Sequence, residues 1–223
     1  MEYYIVLLGI LVIPLIAQLY VSATYKKNKT IELNKKISGF EVARAILDDN
    51  GLNSIYIVET KGTLSDHYDP KQKVVRLSTD IYHGESVAAC AIAAHECGHA
   101  LQDKEGYAYM KFRSFIFPVV RIATQVSYGI ILVAIILEML NLLLLGIGFV
   151  SLGLLFQLIT LPVEFDASKR AKKLLNKLSI TTEDENKKAS SVLSAAAMTY
   201  VAGVLASALE ILRLVMIYNN RRR

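Results

Sequence analysis

Residues 122–163 read IATQVSYGIILVAIILEMLNLLLLGIGFVSLGLLFQLITLPV, and Glu138 is the one charged residue among these 42. A helix on the surface of a soluble domain shows a polar face every turn, and this run shows none. It therefore belongs in lipid. It is too long for one span of about 20 residues and suits two. The polar groups between Glu138 and Asn141 then sit at the far interface. This predicts two helices, at about 117–137 and 142–162, joined by a tight turn.

The rest of the chain carries the same signal. Of 223 residues 53% are hydrophobic, and the mean hydropathy is +0.38, more than a soluble domain of this size needs. No charge lies between Glu2 and Lys26, leaving positions 3–25, long enough to span the bilayer even with Pro14 as a kink. A cleaved signal peptide fits poorly, because Met1-Glu2 is not a basic n-region. A fourth apolar run between Lys188 and Glu210 is rich in Ala, Ser and Gly, which suits close packing of helices in a bilayer. It is less apolar than the others, and Glu210 and Arg213 interrupt it, so a helix packed partly in the membrane is expected there. Trp is absent, but 12 Tyr can supply the interfacial belt.

The composition excludes a disordered, collagenous or disulfide-framework protein. The net charge of +5 would suit a nucleic-acid binder, but its distribution does not. Basic residues such as Lys26, Lys27 and Lys29 flank the apolar runs, as membrane anchors do. Segment 24–121 holds 14 of the 25 Lys and Arg residues, segment 163–190 holds seven more, and the 138–141 turn holds none. The positive-inside rule puts the N-terminus outside and both long segments in the cytoplasm. Arg221, Arg222 and Arg223 break that rule if the last helix crosses. The chain thus divides into an anchor at 1–25, a cytoplasmic part at 26–116, a membrane hairpin at 117–162, a helical segment at 163–190 and a membrane-associated helix at 191–223.

Segment 26–116 reads as a small α+β unit. Ser38 with Glu41 has capping-box spacing, and Gly51 ends the helix that follows. Ile55–Val58 reads as a strand. An Asp69-Pro70 turn suggests a hairpin ending in Val74–Ser78, whose edge could take up an extended peptide. Ser86–Gln102 reads as a buried, Ala-rich helix. In segment 163–190, Lys169, Arg170, Lys172, Lys173 and Lys177 form one helix face with Leu174, Leu175 and Leu178 opposite. Thr182 with Glu185 is a second capping box, starting the last helix. Cys90 and Cys97, seven apart on one helix, stand about 10 Å apart, too far for a disulfide. Reduced cysteines agree with a cytoplasmic setting.

The chemistry concentrates at His95-Glu96-Cys97-Gly98-His99. Spacing of i, i+4 puts both imidazoles on one helix face, where they can share a tetrahedral Zn²⁺. Glu96 can then reach a water at the open position and act as general base. The chain has four His, and this motif uses two of them. Two satisfied surface histidines are the alternative, but the flanks Ala91–Ala94 and Ala100-Leu101 are apolar. A third ligand is needed. The metzincin extension would require Gly at 102 and His at 105, where Gln102 and Glu105 stand. His67 and His83 are weaker candidates. Glu164 is stronger: a carboxylate just past Pro162 at an apolar boundary is costly without a partner. The alternative is that it complements a helix dipole, as Asp166 could.

These features resemble a known family. The motif helix, followed after a transmembrane hairpin by Glu164-Phe165-Asp166-Ala167, is similar to membrane gluzincins of the heat-shock HtpX and CAAX-protease type. The closer resemblance is to the putative neutral zinc metallopeptidases, the YugP-like proteins. It extends through Ser38–Arg44, Asp66–Pro70, Val75–Ser78, Leu161–Ser168 and Met198–Ala202. It implies an α+β, mostly helical integral membrane metalloprotease with a zincin-like catalytic part and three or four spans. It further implies His95, His99 and Glu164 as zinc ligands and Glu96 as the catalytic base. The implied activity is zinc-dependent endopeptidase action on membrane proteins or membrane-adjacent segments, in quality control, at the inner membrane of a prokaryote with the site facing the cytoplasm. The HtpX-type pattern has Asp four residues after the ligand Glu, where this chain has Ser168, a weaker partner for the first His. Polypeptides and the lipid bilayer are the implied partners, without nucleic acid; oligomeric state is not legible. A scaffold retaining a zinc site is the main alternative. A small transporter is a weaker one, since Glu138, Glu210 and Arg213 all fall near span ends.

Overall fold

The structure is a computed structural model describing residues 2–222. The chain is mostly helical: α1 (Glu2–Lys29), α2 (Gly39–Asp49), β1 (Tyr56–Thr60), β2 (His67–Asp69), β3 (Val74–Ser78), α3 (Thr79–Tyr82), α4 (Val87–Lys104), α5 (Ala108–Ile136), α6 (Leu140–Lys177) and α7 (Glu183–Arg222). It divides into two compact units. The first holds Met1–Gln18, Lys111–Pro162 and Met198–Arg223, and the second holds Leu19–Met110 and Val163–Ala197.

The first unit contains the apolar parts of α1, α5, α6 and α7. All four helices are long and apolar enough to cross a membrane. Large apolar side chains such as Leu8, Leu11, Ile122, Leu132, Leu155 and Leu205 face outward. An exposed apolar surface of this extent requires a nonpolar surrounding. The last helix runs unbroken to Arg222 and is long and apolar enough to cross a membrane. Arg213, the charge that interrupts it, is neutralised by Glu210 at 2.5 Å, and its Nη1 donates to the Tyr3 hydroxyl at 3.3 Å. Arg221 donates to the Ile135 carbonyl at 2.8 Å. The start of α1 and the ends of α5 and α7 therefore lie together, as an alternating bundle requires. Between α5 and α6, Glu138 turns the chain at φ +55°. A Cβ on Gly146 would sit 2.5 Å from the Ile131 side chain, so the absent side chain lets the hairpin close.

The second unit is built round α4, of which 14 of 18 residues are buried. A helix buried on nearly all sides needs small side chains, which the alanines supply. Ser86 caps it by accepting from Ala89 N. Helix α2 starts at the expected capping box, with Ser38 N donating to Glu41 Oε2 at 2.7 Å, and ends where Gly51 takes φ +66°. Thr182 N donates to Glu185 Oε2 at 2.7 Å at the start of α7. The same carboxylate's other oxygen accepts from Asn34 N, tying that cap to the loop after α1.

The sheet corrects one expectation. Its order is β1-β3-β2, with β1 parallel and β2 antiparallel to β3. The β2–β3 hairpin forms as expected. Val74–Ser78 is the central strand, however, and both of its edges are paired, so it has none to offer a peptide. Helix α6 also differs. It passes through Pro162 without a break to Lys177, so the membrane segment and the segment bearing Glu164 are one helix.

Candidate metal centre

Within the second unit, α4 and the Val163–Lys177 part of α6 meet at Gly98. A Cβ on Gly98 would lie 2.6 Å from the Ala167 carbonyl oxygen and 3.2 Å from Ala167 Cα. Only hydrogen at position 98, facing a small residue at 167, allows this approach. Both residues are fully or nearly fully buried. The contact sets Glu164, one turn before Ala167, against the two histidines. Gly98→Ala should therefore push on backbone rather than on a flexible side chain. We expect a loss of about 1–3 kcal/mol, the usual cost of overpacking. A lowered thermal midpoint in detergent, with Gly148→Ala as control, checks this. The control site has nothing within 4 Å. Equal midpoints for both variants would refute the packing argument.

His95 and His99 stack edge to face, with ring centroids 4.7 Å apart. Glu164 Oε2 lies 3.3 Å from His95 Nε2 and 3.6 Å from His99 Nε2. One donor atom from each of the three residues falls within 4.8 Å of the others. Bonds of 2.0–2.1 Å in a tetrahedron put ligand atoms about 3.4 Å apart. The two separations from Glu164 match that edge, so two imidazoles and a carboxylate fit a zinc ion here. Glu164 is buried and His99 nearly so, while the His95 side chain keeps 16% exposure, leaving the group reachable from one side. His67 and His83 are elsewhere. His67 Nδ1 contacts the Ser65 carbonyl, and His83 pairs with Glu59.

Glu96 is buried next to this group. Burial pushes its carboxyl above the usual range, opposed by the charges of His95 and His99 and reinforced by Glu164. Burial alone would lower the His99 pKa, but the Glu164 and Glu96 carboxylates, with the Gln102 hydrogen bond, more than offset this and hold it above its ordinary value. Cys90 and Cys97 are both free and buried, and burial raises both thiols. Neither is poised as a thiolate.

Each histidine has a partner on its other nitrogen. Ser168 Oγ lies 3.2 Å from His95 Nδ1, the position where the HtpX-type pattern has Asp. Asp166 touches neither imidazole. It accepts from Gln102 Nε2 at 2.9 Å and from Arg170 Nε at 2.5 Å. The residue that sequence reasoning missed is Gln102, noted above only as a mismatch. It is fully buried, and its Oε1 lies 2.9 Å from His99 Nδ1. The readable signal was its i+3 spacing from His99 on one helix face.

A family model described as "Putative neutral zinc metallopeptidase" matches residues 3–219. The chain is 46% identical over 206 residues to a Bacillus subtilis (strain 168) protein named "Putative membrane protease YugP", covering 92% of each. No solved structure matches the chain. The match takes in both helices that carry the candidate metal ligands, α4 and α6, and the chain therefore belongs to the family described as putative neutral zinc metallopeptidases.

Proposed function

We propose that this chain is a zinc-dependent endopeptidase of a prokaryotic inner membrane, cutting membrane proteins or membrane-adjacent segments on the cytoplasmic side. The observation that carries this reading is the convergence of His95, His99 and Glu164 at tetrahedral spacing with the buried Glu96 beside them. His95 and His99, through Nε2, and Glu164, through Oε2, would hold the ion. Zinc bound there supplies Lewis acidity, which polarises a peptide carbonyl and makes a water more acidic. Glu96 takes a proton from the attacking water as its oxygen adds to the carbonyl carbon. It returns a proton to the amide nitrogen as the C–N bond breaks. Three protein ligands also favour a catalytic site over a structural one, which is usually closed by four.

Charge supports the orientation. Segments 24–121 and 163–190 together carry 21 of the 25 Lys and Arg residues, 14 and seven respectively. A C-terminal reporter active only outside the cytoplasm should then be active; an inactive one would reverse the orientation or deny the fourth crossing.

The activity test uses the full chain purified in detergent. One zinc per chain is expected. Cleavage of an unfolded casein-like substrate should stop on chelation and return with zinc. Stoichiometric zinc without any chelator-sensitive cleavage would favour the scaffold reading. Well-folded protein without zinc would overturn the proposal.

A further inference from the structure

We infer that Gln102 is a positioning residue that holds neutral His99 in its Nδ1–H form, presenting Nε2 to the metal; this rests on the zinc-site reading above. Gln102 has two other partners. Its Nε2 donates to the Val163 carbonyl at 2.8 Å and to Asp166 Oδ2 at 2.9 Å. A carbonyl and a carboxylate can only accept. Rotating the amide by half a turn would set Oε1 against both oxygens inside a buried site, leaving two acceptors facing a third. The amide is therefore locked, and Oε1 is the atom that faces His99.

An amide oxygen can only accept. Nδ1 of His99, 2.9 Å away, must carry the hydrogen. In a neutral imidazole, the lone pair is then on Nε2, the nitrogen nearest Glu164. His95 is held differently. The Ser168 hydroxyl near its Nδ1 both donates and accepts, so it orients the ring without dictating its tautomer. The lock on His99 extends outward. Arg170 pairs with Asp166 at 2.5 Å and, through Nη1, with Glu105 at 2.7 Å. Both elements of the metal group are thereby tied by one side chain: Gln102 stands on α4 three residues after His99, and Val163 directly precedes Glu164 on α6.

The test measures zinc affinity of the full chain by competition with a chelating dye, independently of cleavage. Gln102→Met keeps the shape and removes every polar contact. Its zinc dissociation constant should rise about 10–100-fold, the usual effect of losing a ligand's supporting hydrogen bond. The Gln102→Glu/Asp166→Asn double variant reverses the polarity between 102 and 166 but restores an acceptor facing His99. It should bind zinc more tightly than Gln102→Met. If Gln102 only glued the two helices, this variant would do no better than Gln102→Met, since its donor to Val163 is gone. Unchanged affinity in Gln102→Met would also overturn the inference. Wild-type binding that is lost in Glu164→Ala but unchanged in Gln102→Met would refute Gln102's role alone. Wild-type protein that binds no zinc would refute the metal site as well. A measurement needing no variant of Gln102 is ¹⁵N NMR of histidine-labelled, zinc-loaded wild type. Protonated Nδ1 on His99 is expected, and ligation through Nδ1 would overturn the assignment.

Discussion

Glu96→Gln is expected to bind zinc as the wild type does and to lose about 10²–10⁴-fold in kcat, the range for removing a positioned general base. The amide keeps the shape of the carboxylate but cannot take the water's proton. The side chain is buried, so an isosteric change introduces no cavity. Burial also pushes the native carboxyl above the usual carboxylate range. The measurement is zinc content alongside initial rates on the casein-like substrate. Retained metal with lost turnover separates chemistry from folding. Equal, chelator-insensitive turnover by both proteins would end the protease reading. Loss of metal in Glu96→Gln would instead make Glu96 a ligand.

Glu164→Ala is expected to lose both zinc and activity. It removes the acceptor that sits 3.3 and 3.6 Å from the two imidazole nitrogens, together with the one carboxylate among the three candidate ligands. Disturbing an outer partner typically costs 10–100-fold in metal affinity, so loss of a ligand should exceed about 100-fold. Asp166→Ala is the comparison. It removes the acceptor for Gln102 and Arg170 but leaves all three ligand atoms. Its effect on zinc should be smaller. If Asp166→Ala strips the metal while Glu164→Ala retains it, the third ligand has been misassigned.

Several features were legible because local chemistry decides them. Ser38 and Glu41, or Thr182 and Glu185, satisfy their own helix starts within four residues, whatever packs around them. Two histidines four apart on a helix share a face by geometry alone. The apolar run after Ile122 needs lipid in any arrangement. What was missed depends on partners distant in sequence. Val74–Ser78 looked like an edge because the hairpin to β2 is local, whereas its other neighbour, β1, arrives by a parallel crossover. Pro162 suggested a boundary, but a proline removes only one hydrogen bond, and α6 continues past it.

The sequence by itself determined that this chain has membrane helices, a motif able to hold a metal, and a carboxylate at position 164 that is costly without a partner. Periodicity, hydropathy and spacing are properties of one segment at a time. Only the tertiary structure decided that Glu164 reaches His95 and His99, that Ser168 rather than Asp166 meets His95, and that Gln102 meets His99. Those contacts join residues more than 60 positions apart, apart from the local Gln102–His99 pair, whose orientation is still set by Val163 and Asp166 on the other helix. They exist because Gly98 and Ala167 carry too little side chain to hold the two helices apart.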